Sequence, residues 1–200
     1  MSNLVLTEDH RYLLDNLEIP GVSKILQEAG LSDMSMVKPE ILERNSAFGN
    51  AVHAVINFKC KGTLDEESVD HILIPYLQGW DNFVEDFGYV CEKSEYQTHH
   101  PVYRYGMTCD QIGRITKGKY LGPAVGDIKS GSPFPSHKYQ LAGYKICVDK
   151  KANTFILYLN PEFKPGGYKV VFAANNKREQ GVFLSALTIF NVRREEGLIK

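Results

Sequence analysis

The sequence lacks the features that mark a membrane or secreted protein. None of its apolar runs approaches the length of a transmembrane helix, although 43% of the 200 residues are hydrophobic. The segment Met1–Leu4 has no basic region followed by an apolar core, so no signal peptide is predicted and a cytoplasmic location is expected. Internal repeats, low-complexity stretches and linkers are also absent. This length and composition therefore predict one globular domain.

Cysteine is scarce and dispersed, which argues against a metal–sulfur centre. The four cysteines include no Cys-x-x-Cys pair; they are Cys60, Cys91, Cys109 and Cys147. Zinc sites and iron–sulfur clusters usually take closely spaced cysteines. We therefore expect neither, and we expect buried, reduced thiols.

The chain also has no excess of positive charge. Its 23 basic and 24 acidic residues give a formal net charge of −1. Nucleic-acid-binding proteins often carry a basic excess, which argues weakly against tight binding by the whole surface. Catalytic carboxylates can offset a local basic groove, so a nucleic-acid substrate is not excluded.

Hydrophobic periodicity predicts a helical first part and a sheet in the second. Helices are predicted at Thr7–Leu17, Val22–Ala29, from Pro39 or Arg44 to Lys59, and at Asp65–Phe87, the last broken or kinked by Pro75. Strands are predicted at Tyr89–Thr98, Pro101–Asp110, Ile112–Thr116, Ala124–Lys129, Thr154–Leu159 and Tyr168–Phe172. Further helices are predicted at Ser136–Val148 and from a cap at Asn175 or Asn176 to Arg194.

This order predicts an α/β fold with a central mixed β-sheet, an antiparallel meander plus one further strand, flanked by helices. We expect a single domain over residues 1–200. It would comprise a mainly helical part (1–88), a sheet core with one helix (89–175) and a C-terminal helix (176–200).

Two charged residues stand two positions apart at the end of a predicted buried strand. Because strand side chains alternate, Asp127 and Lys129 point to the same face. The small residues around them, Gly126, Ser130 and Gly131, are expected to leave room for a ligand. Taken alone, this pair is equally typical of an exposed ion pair.

Other residues are candidates for the same site. Asp110 follows an apolar strand, and two carboxylates on adjacent strands suit a magnesium ion, although an aspartate here is also typical of a turn. His53 lies beside the apolar stripe of a helix. Gln140 and Tyr144 are four residues apart, and so share a helix face.

In order, these motifs resemble the RecB-like branch of the PD-(D/E)XK nuclease superfamily. The resemblance spans about Ala47 to Val148 and rests on Gly49-x-x-x-His53, Glu95, Gly106-x-x-x-Asp110, Gly126-Asp127-Ile128-Lys129-Ser130-Gly131 and Gln140-x-x-x-Tyr144. The segment Pro20–Leu26 is also similar to the N-terminal segment of stand-alone phage and prophage members. A restriction-endonuclease-like core is therefore implied.

The resemblance implies a role for each motif. A divalent metal, Mg²⁺ with Mn²⁺ as a substitute, would be held by His53, Asp110, Asp127 and the carbonyl of Ile128. Lys129 would orient or activate the attacking water. Glu95 would lie near the metal, with Glu92 as a competing candidate. Gln140 and Tyr144 would hold the DNA backbone or the lysine.

The implied function is a metal-dependent deoxyribonuclease, an exonuclease in DNA recombination or repair. It would act on DNA, with a single-strand annealing or recombination protein as a possible partner and homo-oligomerisation possible. The chain lacks the early cysteine and late three-cysteine cluster of the iron–sulfur members, and it has no helicase motif. Two alternatives stay open, a catalytically inactive DNA-binding module and a hydrolase of small phosphoesters.

Candidate DNA contacts lie near the predicted site. Lys117 and Lys119 stand in the loop between the two metal-bearing strands, and Lys138 opens the following helix. Tyr105 is a candidate for stacking on bases. Each is equally typical of an ordinary surface or packing residue.

Overall fold

Within residues 3–33, 37–173 and 176–199, which the computed structural model describes, eight strands and five α-helices are found. The strands are β1 (Leu4–Leu6), β2 (Tyr12–Leu14), β3 (Leu17–Ile19), β4 (Tyr89–His99), β5 (Gly106–Ile115), β6 (Gly122–Lys129), β7 (Asn153–Leu159) and β8 (Tyr168–Ala173). The helices are α1 (Val22–Glu28), α2 (Pro39–Cys60), α3 (Ile74–Phe87), α4 (His137–Val148) and α5 (Lys177–Glu195). No helix of these ranges is long and apolar enough to cross a membrane.

The centre of the fold is a five-stranded sheet in the order β4-β5-β6-β7-β8. Strands β6 and β7 are parallel, and the other neighbouring pairs are antiparallel. Helix α4 provides the crossover that a parallel pair needs. The apolar residues of β6 and β7 are almost all buried because neighbours cover both faces. The predicted mixed α/β fold with a helix-flanked central sheet is confirmed.

Helices cover both faces of this sheet. One core cluster packs α1, α4 and α5 against one face and includes Phe183 on α5. The other packs α2 and α3 against the opposite face and includes Phe83 and Phe155. Burying one such side chain contributes about 1.5–3 kcal/mol to stability. The sheet is thus fixed from both sides, which makes it a rigid support for polar residues at its strands.

The predicted helix at Thr7–Leu17 is wrong. That segment belongs to a separate three-stranded antiparallel sheet in the order β1-β2-β3. Asp15 and Asn16 both have positive φ, 52° and 65°, and close the β2–β3 hairpin. Two successive positive φ angles are typical of the tight turn that matches strand twist. Thr7 accepts a hydrogen bond from the backbone N–H of Arg11 in the preceding turn instead of capping a helix.

Tyr12 attaches this small sheet to the central one. Its hydroxyl lies 2.8 Å from that of Thr108, and its ring covers Gly106. A Cβ atom on Gly106 would lie 2.4 Å from the Tyr12 ring, so this position requires glycine. The backbone N–H of Gly106 also donates to the carbonyl of Pro20. The first glycine of the Gly106-x-x-x-Asp110 motif therefore serves packing.

Other boundaries also differ from the predictions, and the strand expected from Pro101 begins only at Gly106. The helix expected at Asp65–Phe87 begins only at Ile74, with Pro75 in its first turn, where a missing N–H costs nothing. The break expected at Pro75 is thus confirmed. The separate strand expected at Ile112–Thr116 is the continuation of β5, so Asp110 lies within a strand and starts no turn. Asn176 precedes α5, and Asn175 lies outside the described residues.

All four cysteines are free thiols, and only Cys109 is buried. The other three are half-buried, so the expectation of buried thiols is correct for one of them.

Candidate metal and phosphate site

The register of β5 and β6 brings two aspartates together. Gln111 pairs with Gly126, so Asp110 and Asp127 lie at the next position of the same antiparallel ladder. Asp110 is 7% exposed and Asp127 is fully buried. Buried carboxylates are costly unless they are paired or bind a cation. The sheet therefore holds two carboxylates in a position that requires a compensating charge.

His53 reaches these carboxylates from α2. Its Nδ1 atom lies 3.4 Å from Glu95 Oε1 and 3.6 Å from Asp110 Oδ2. Its Nε2 atom donates to the carbonyl oxygen of Ile128 over 3.0 Å. The backbone N–H of Ile128 donates in turn to Asp110 Oδ2 over 2.7 Å. One imidazole ring thus connects α2 with three strands.

Glu95 occupies a strained position in β4. Its φ is +50°, which is uncommon for a residue with a side chain, and neighbouring register pairs place it opposite Asp110. Such strain persists where surrounding structure enforces it, and it is concentrated at functional sites. Glu92 is exposed and lies 3.8 Å from the Arg114 guanidinium. The structure therefore brings Glu95, and not Glu92, to His53.

Lys129 pairs with the buried aspartate two residues before it. Its Nζ atom lies 2.9 Å from Asp127 Oδ1 and 2.8 Å from Oδ2. Burial opposes the charge of Lys129, but the carboxylates of Asp127 and Asp110 outweigh it and raise the pKa of the lysine. Burial raises the pKa of both aspartates, and the two cations beside them, Lys129 and His53, oppose that rise. Lys129 is therefore a charged ammonium at neutral pH.

His53 is also charged in this arrangement. Burial disfavours its positive form, but the Asp110 charge and the Glu95 hydrogen bond raise the pKa of His53 to about 9. A protonated ring explains why both nitrogens face acceptors. Binding a metal at this ring would release that proton, because only an unprotonated nitrogen can be a ligand.

The donor set fits a divalent metal ion. Ligand atoms of His53, Glu95 and Asp110 lie within 4.8 Å of one another. Asp127 Oδ2 is buried, and its neighbour among the described residues is the Lys129 ammonium at 2.8 Å. The Nδ1 atom of His53 faces the carboxylates of Glu95 and Asp110, so this ring nitrogen could bind an ion together with them. Oxygen-rich sets of this kind suit Mg²⁺ and Mn²⁺.

Of the two glycines expected to leave room for a ligand, Gly131 has open space around it and Gly126 does not. A Cβ atom on Gly126 would lie 2.1 Å from the ring of Phe155, so this glycine serves packing and not ligand access. A Cβ atom on Gly49 would make ordinary contact, at 3.6 Å, with the Ser130 hydroxyl. A Cβ atom on Gly131 would have no described neighbour within 4 Å. Open space thus lies after Lys129 and not before Asp127.

Gln140 and Tyr144 lie behind the aspartates on α4. The Gln140 amide donates to the Tyr144 hydroxyl over 2.6 Å. Tyr144 is 4% exposed, and burial, followed by the charges of Asp127 and Asp110, raises the pKa of its hydroxyl well above the usual value. The hydroxyl therefore stays neutral beside the two carboxylates.

Three of the predicted DNA contacts lie elsewhere. Tyr105 is fully buried, and its hydroxyl donates to the Gly143 carbonyl over 2.7 Å, so it cannot stack on a base. Lys117 and Lys119 follow the far end of β5, five residues or roughly 17 Å along the strand from Asp110. The Lys117 ammonium donates to the Glu85 carbonyl. The assignment of Tyr105 is wrong because the residue is buried, whereas Lys117 and Lys119 lie away from the site because a loop between two site strands need not lie at the site.

Lys138 lies at the site end of the fold. It is exposed in the first turn of α4, the helix that follows Lys129. Its ammonium lies 5.0 Å from the centre of the Tyr139 ring. Lys138 thus stays a candidate contact.

A cleft that sequence reasoning missed adjoins the site. It has a volume of about 890 Å³ and lies between the small N-terminal sheet, α1, α5 and strands β4 and β5. Glu95 and Tyr144 line it together with three cations, Arg11, Lys24 and Arg194, and the carboxylates of Asp9 and Glu18 pair with Arg11. A groove that combines cations with polar and apolar surface is suited to a nucleic-acid strand.

The cleft depends on the hairpin that replaces the expected helix at Thr7–Leu17. Arg11 lies between β1 and β2, and its guanidinium is 2.7 Å from the Asp9 carboxylate and 3.3 Å from the Glu18 carboxylate. The turn signal Asp15-Asn16 could have revealed the hairpin. Residues Pro20 to Lys24 also line the cleft, and they belong to the segment Pro20–Leu26 that is similar to the N-terminal segment of phage and prophage members. That similarity predicted no role for Lys24.

No protein-family model matches the chain, and no curated protein matches it in sequence. Solved structures that align with it include LHK-Exo in complex with dAMP, at 12% identity and a TM-score of 0.44, covering 91% of this chain and 95% of that one. Another is an alkaline exonuclease (LHK-Exo) from Laribacter hongkongensis, at 13% identity and a TM-score of 0.43, covering 90% and 94%. At these values the alignments assign no function, so any assignment rests on the site itself.

Proposed function

We propose that this chain is a divalent-metal-dependent deoxyribonuclease of the RecB-like PD-(D/E)XK type, and that it acts as an exonuclease. The observation that carries the proposal is one cluster of His53, Glu95 and Asp110 beside the buried pair of Asp127 and Lys129. Such a cluster combines metal ligands with a fixed cation, which is the set of groups that phosphodiester hydrolysis needs.

The residues that would hold the ion are His53, Glu95, Asp110, Asp127 and the carbonyl of Ile128. When bound there, Mg²⁺ would lower the pKa of a coordinated water and neutralise charge on the phosphate. The rigid sheet and the hydrogen bond from Ile128 to Asp110 fix the direction of the carboxylates. A ligand set held in this way costs little reorganisation when substrate binds.

Lys129 would act as a positive clamp on the phosphate. The neighbouring carboxylates raise its pKa, which favours the ammonium and opposes a role as general base. Asp127 keeps the ammonium in place at 2.8–2.9 Å. The charge is thus positioned before the reaction, where it stabilises the negative charge that develops on the phosphate.

The DNA strand would pass through the cleft beside Glu95. Arg11, Lys24 and Arg194 would contact its phosphates, while Lys138 would contact them on the other side of Lys129. Gln140 and Tyr144 would support Asp127 from behind. Roles in recombination or repair, an annealing-protein partner, homo-oligomerisation and a cytoplasmic location stay predictions.

A cleavage assay tests the proposal. End-labelled linear DNA and closed circular DNA are incubated with the protein and Mg²⁺, and then with Asp127→Asn, Lys129→Ala and the control Lys119→Ala. We expect wild type and the control to degrade linear DNA and leave circles intact. We expect each site variant to lose at least about 100-fold in rate.

Other results would overturn the proposal. DNA binding without cleavage would indicate an inactive DNA-binding module. Hydrolysis of nucleotide monoesters without DNA cleavage would indicate a small phosphoester hydrolase. Cleavage of closed circular DNA would show endonuclease activity, which contradicts the proposal that the protein is an exonuclease.

A further inference from the structure

A histidine outside the expected motifs stands next to the catalytic lysine. Tyr158 on β7 is the Cα partner of Lys129 on β6, and paired residues of adjacent strands extend to the same face of a sheet. The Tyr158 hydroxyl lies 3.2 Å from Nδ1 of His137, the first residue of α4. Tyr158 is therefore a neighbour of both residues, and Lys129 is close enough for its charge to act on His137.

The hydrogen bonds of His137 determine its tautomer. Its Nδ1 atom accepts from the backbone N–H of Phe134 over 3.3 Å, and a backbone N–H can only donate. Nδ1 therefore carries no proton, and the Tyr158 hydroxyl must donate to it as well. A neutral imidazole has one N–H, so the proton is on Nε2.

The ring is neutral at physiological pH. Burial and, next, the charge of Lys129 lower the pKa of His137 to about 4. Because it is already deprotonated at Nδ1, the ring presents a fixed N–H donor without adding charge. The neutral state agrees with the tautomer that the hydrogen bonds require.

The donor edge of the ring is not used by the protein. Among residues 3–33, 37–173 and 176–199, no hydrogen-bond acceptor is found for His137 Nε2, and the ring is half-buried. One edge of the ring is thus held by Tyr158 and Phe134, while the other edge carries the N–H donor. Because this donor is not fully buried, water can reach it, and a substrate oxygen can replace that water.

We propose that His137 is a substrate-binding residue whose Nε2–H donates to a phosphate oxygen of the DNA strand next to Lys129. Tyr158 is then a positioning residue that fixes the tautomer of His137. This inference rests on the proposed nuclease function. It assigns to His137 a neutral contact that complements the charged contact of Lys129.

Two substitutions separate this role from a structural one. In His137→Asn the amide oxygen takes the position of Nδ1, so the acceptor for Phe134 and Tyr158 is kept and the Nε2 donor is lost. In His137→Gln the amide N–H takes the position of Nε2, so the donor is kept. The two variants carry the same amide group on side chains that differ by one methylene, and their predictions are opposite.

Steady-state cleavage of linear DNA in Mg²⁺ is the first readout. We expect His137→Asn to lower kcat/KM roughly tenfold or more, since a hydrogen bond to a charged group is lost, and His137→Gln to stay within about threefold of wild type. Because the lost contact is neutral, neither variant should change the slope of DNA affinity against salt. Circular dichroism and Mn²⁺ calorimetry confirm that both variants are folded with an intact metal site.

DNA binding in Ca²⁺, measured by fluorescence anisotropy, is the second readout and keeps the two proposals distinguishable. If wild type binds DNA but does not cleave it, the nuclease proposal fails, and the binding constants alone decide the role of His137. The inference is overturned if His137→Asn binds like wild type while His137→Gln is weakened, or if neither variant differs from wild type. Should both variants unfold, the histidine is structural and the inference is likewise wrong.

Discussion

The imidazole of His53 donates to the carbonyl oxygen of Ile128 over 3.0 Å, although the two residues are 75 positions apart in the chain. This contact connects α2 to the strand that carries Asp127 and Lys129. The same ring faces Glu95 and Asp110 with its other nitrogen. One histidine thus contacts three of the other proposed metal ligands.

Asp110→Asn should abolish tight metal binding. The substitution removes a carboxylate charge while keeping the size of the side chain. Mn²⁺ affinity should therefore fall by more than about 100-fold, since loss of a residue that only supports a ligand costs roughly 10- to 100-fold. Isothermal calorimetry with Mn²⁺ measures this. The matched control is Glu92→Gln, an exposed carboxylate that pairs only with Arg114 among the described residues. An unchanged affinity in Asp110→Asn would contradict the proposed ligand set.

Glu95→Gly should stabilise the fold and reduce activity. Glycine adopts the φ of +50° without strain, so the free energy of unfolding should rise by about 1 kcal/mol while cleavage of DNA is largely lost. Thermal unfolding and a cleavage assay measure the two effects. Arg104→Gly is the control, because Arg104 has the same φ in the β4–β5 turn. It should gain stability without losing activity, and equal losses in both variants would argue against a role of Glu95 in the site.

Gly126→Ala should be strongly destabilising, although the change is one methyl group. The new Cβ would lie 2.1 Å from the Phe155 ring, and overpacking of a well-filled core costs about 1–3 kcal/mol. Gly131→Ala, with no described atom within 4 Å of its Cβ position, should change stability by less than about 0.5 kcal/mol. Urea unfolding of both variants measures the difference. Equal stability of the two would show that Phe155 does not require the glycine.

His137 should make the fold sensitive to mild acid. Its pKa falls from 6.5 in the unfolded chain to about 4 in the folded one, because burial and Lys129 disfavour its charged form. The folded state thus binds the His137 proton more weakly than the unfolded chain. Protonation of this histidine therefore costs no stability above pH 6.5, and the free energy of unfolding declines as the pH falls towards 4. Asp127 opposes this shift, and the Tyr158 hydroxyl faces the ring.

Chemical unfolding of wild type and His137→Gln between about pH 4 and 7 measures this dependence. Other groups titrate in both proteins, so the difference between the two curves isolates the histidine. As the pH is lowered, the free energy of unfolding should fall less in His137→Gln than in wild type. A constant difference would contradict a depressed pKa for His137.

The part of the site that sequence could predict depends on local spacing. Asp127 and Lys129 share a face because strand side chains alternate, and Gln140 and Tyr144 do so because helix residues four apart are neighbours. The buried apolar run before Asp127 correctly indicated a central strand. These features need only the nearest residues in the chain.

The positions of the other site residues depend on tertiary packing, which the periodicity of the sequence cannot predict. From the sequence alone, Tyr105 is indistinguishable from an exposed tyrosine, but in the fold Phe183 of α5 packs against its ring and buries it. Lys117 follows a strand that is longer than the sequence pattern indicates, which moves its loop away from Asp110. The role of His137 emerges only when β7 brings Tyr158 beside Lys129. Contacts between distant segments decide each of these positions.

The most direct test of the central claim is a crystal of the wild-type protein soaked in Mn²⁺ and measured for anomalous scattering. The proposed function predicts an anomalous peak within about 2.3 Å of ligand atoms from His53, Asp110 and Asp127, with Glu95 and the Ile128 carbonyl beside it. A soak that leaves this position without a peak, at a Mn²⁺ concentration that supports full DNA cleavage, would contradict the claim.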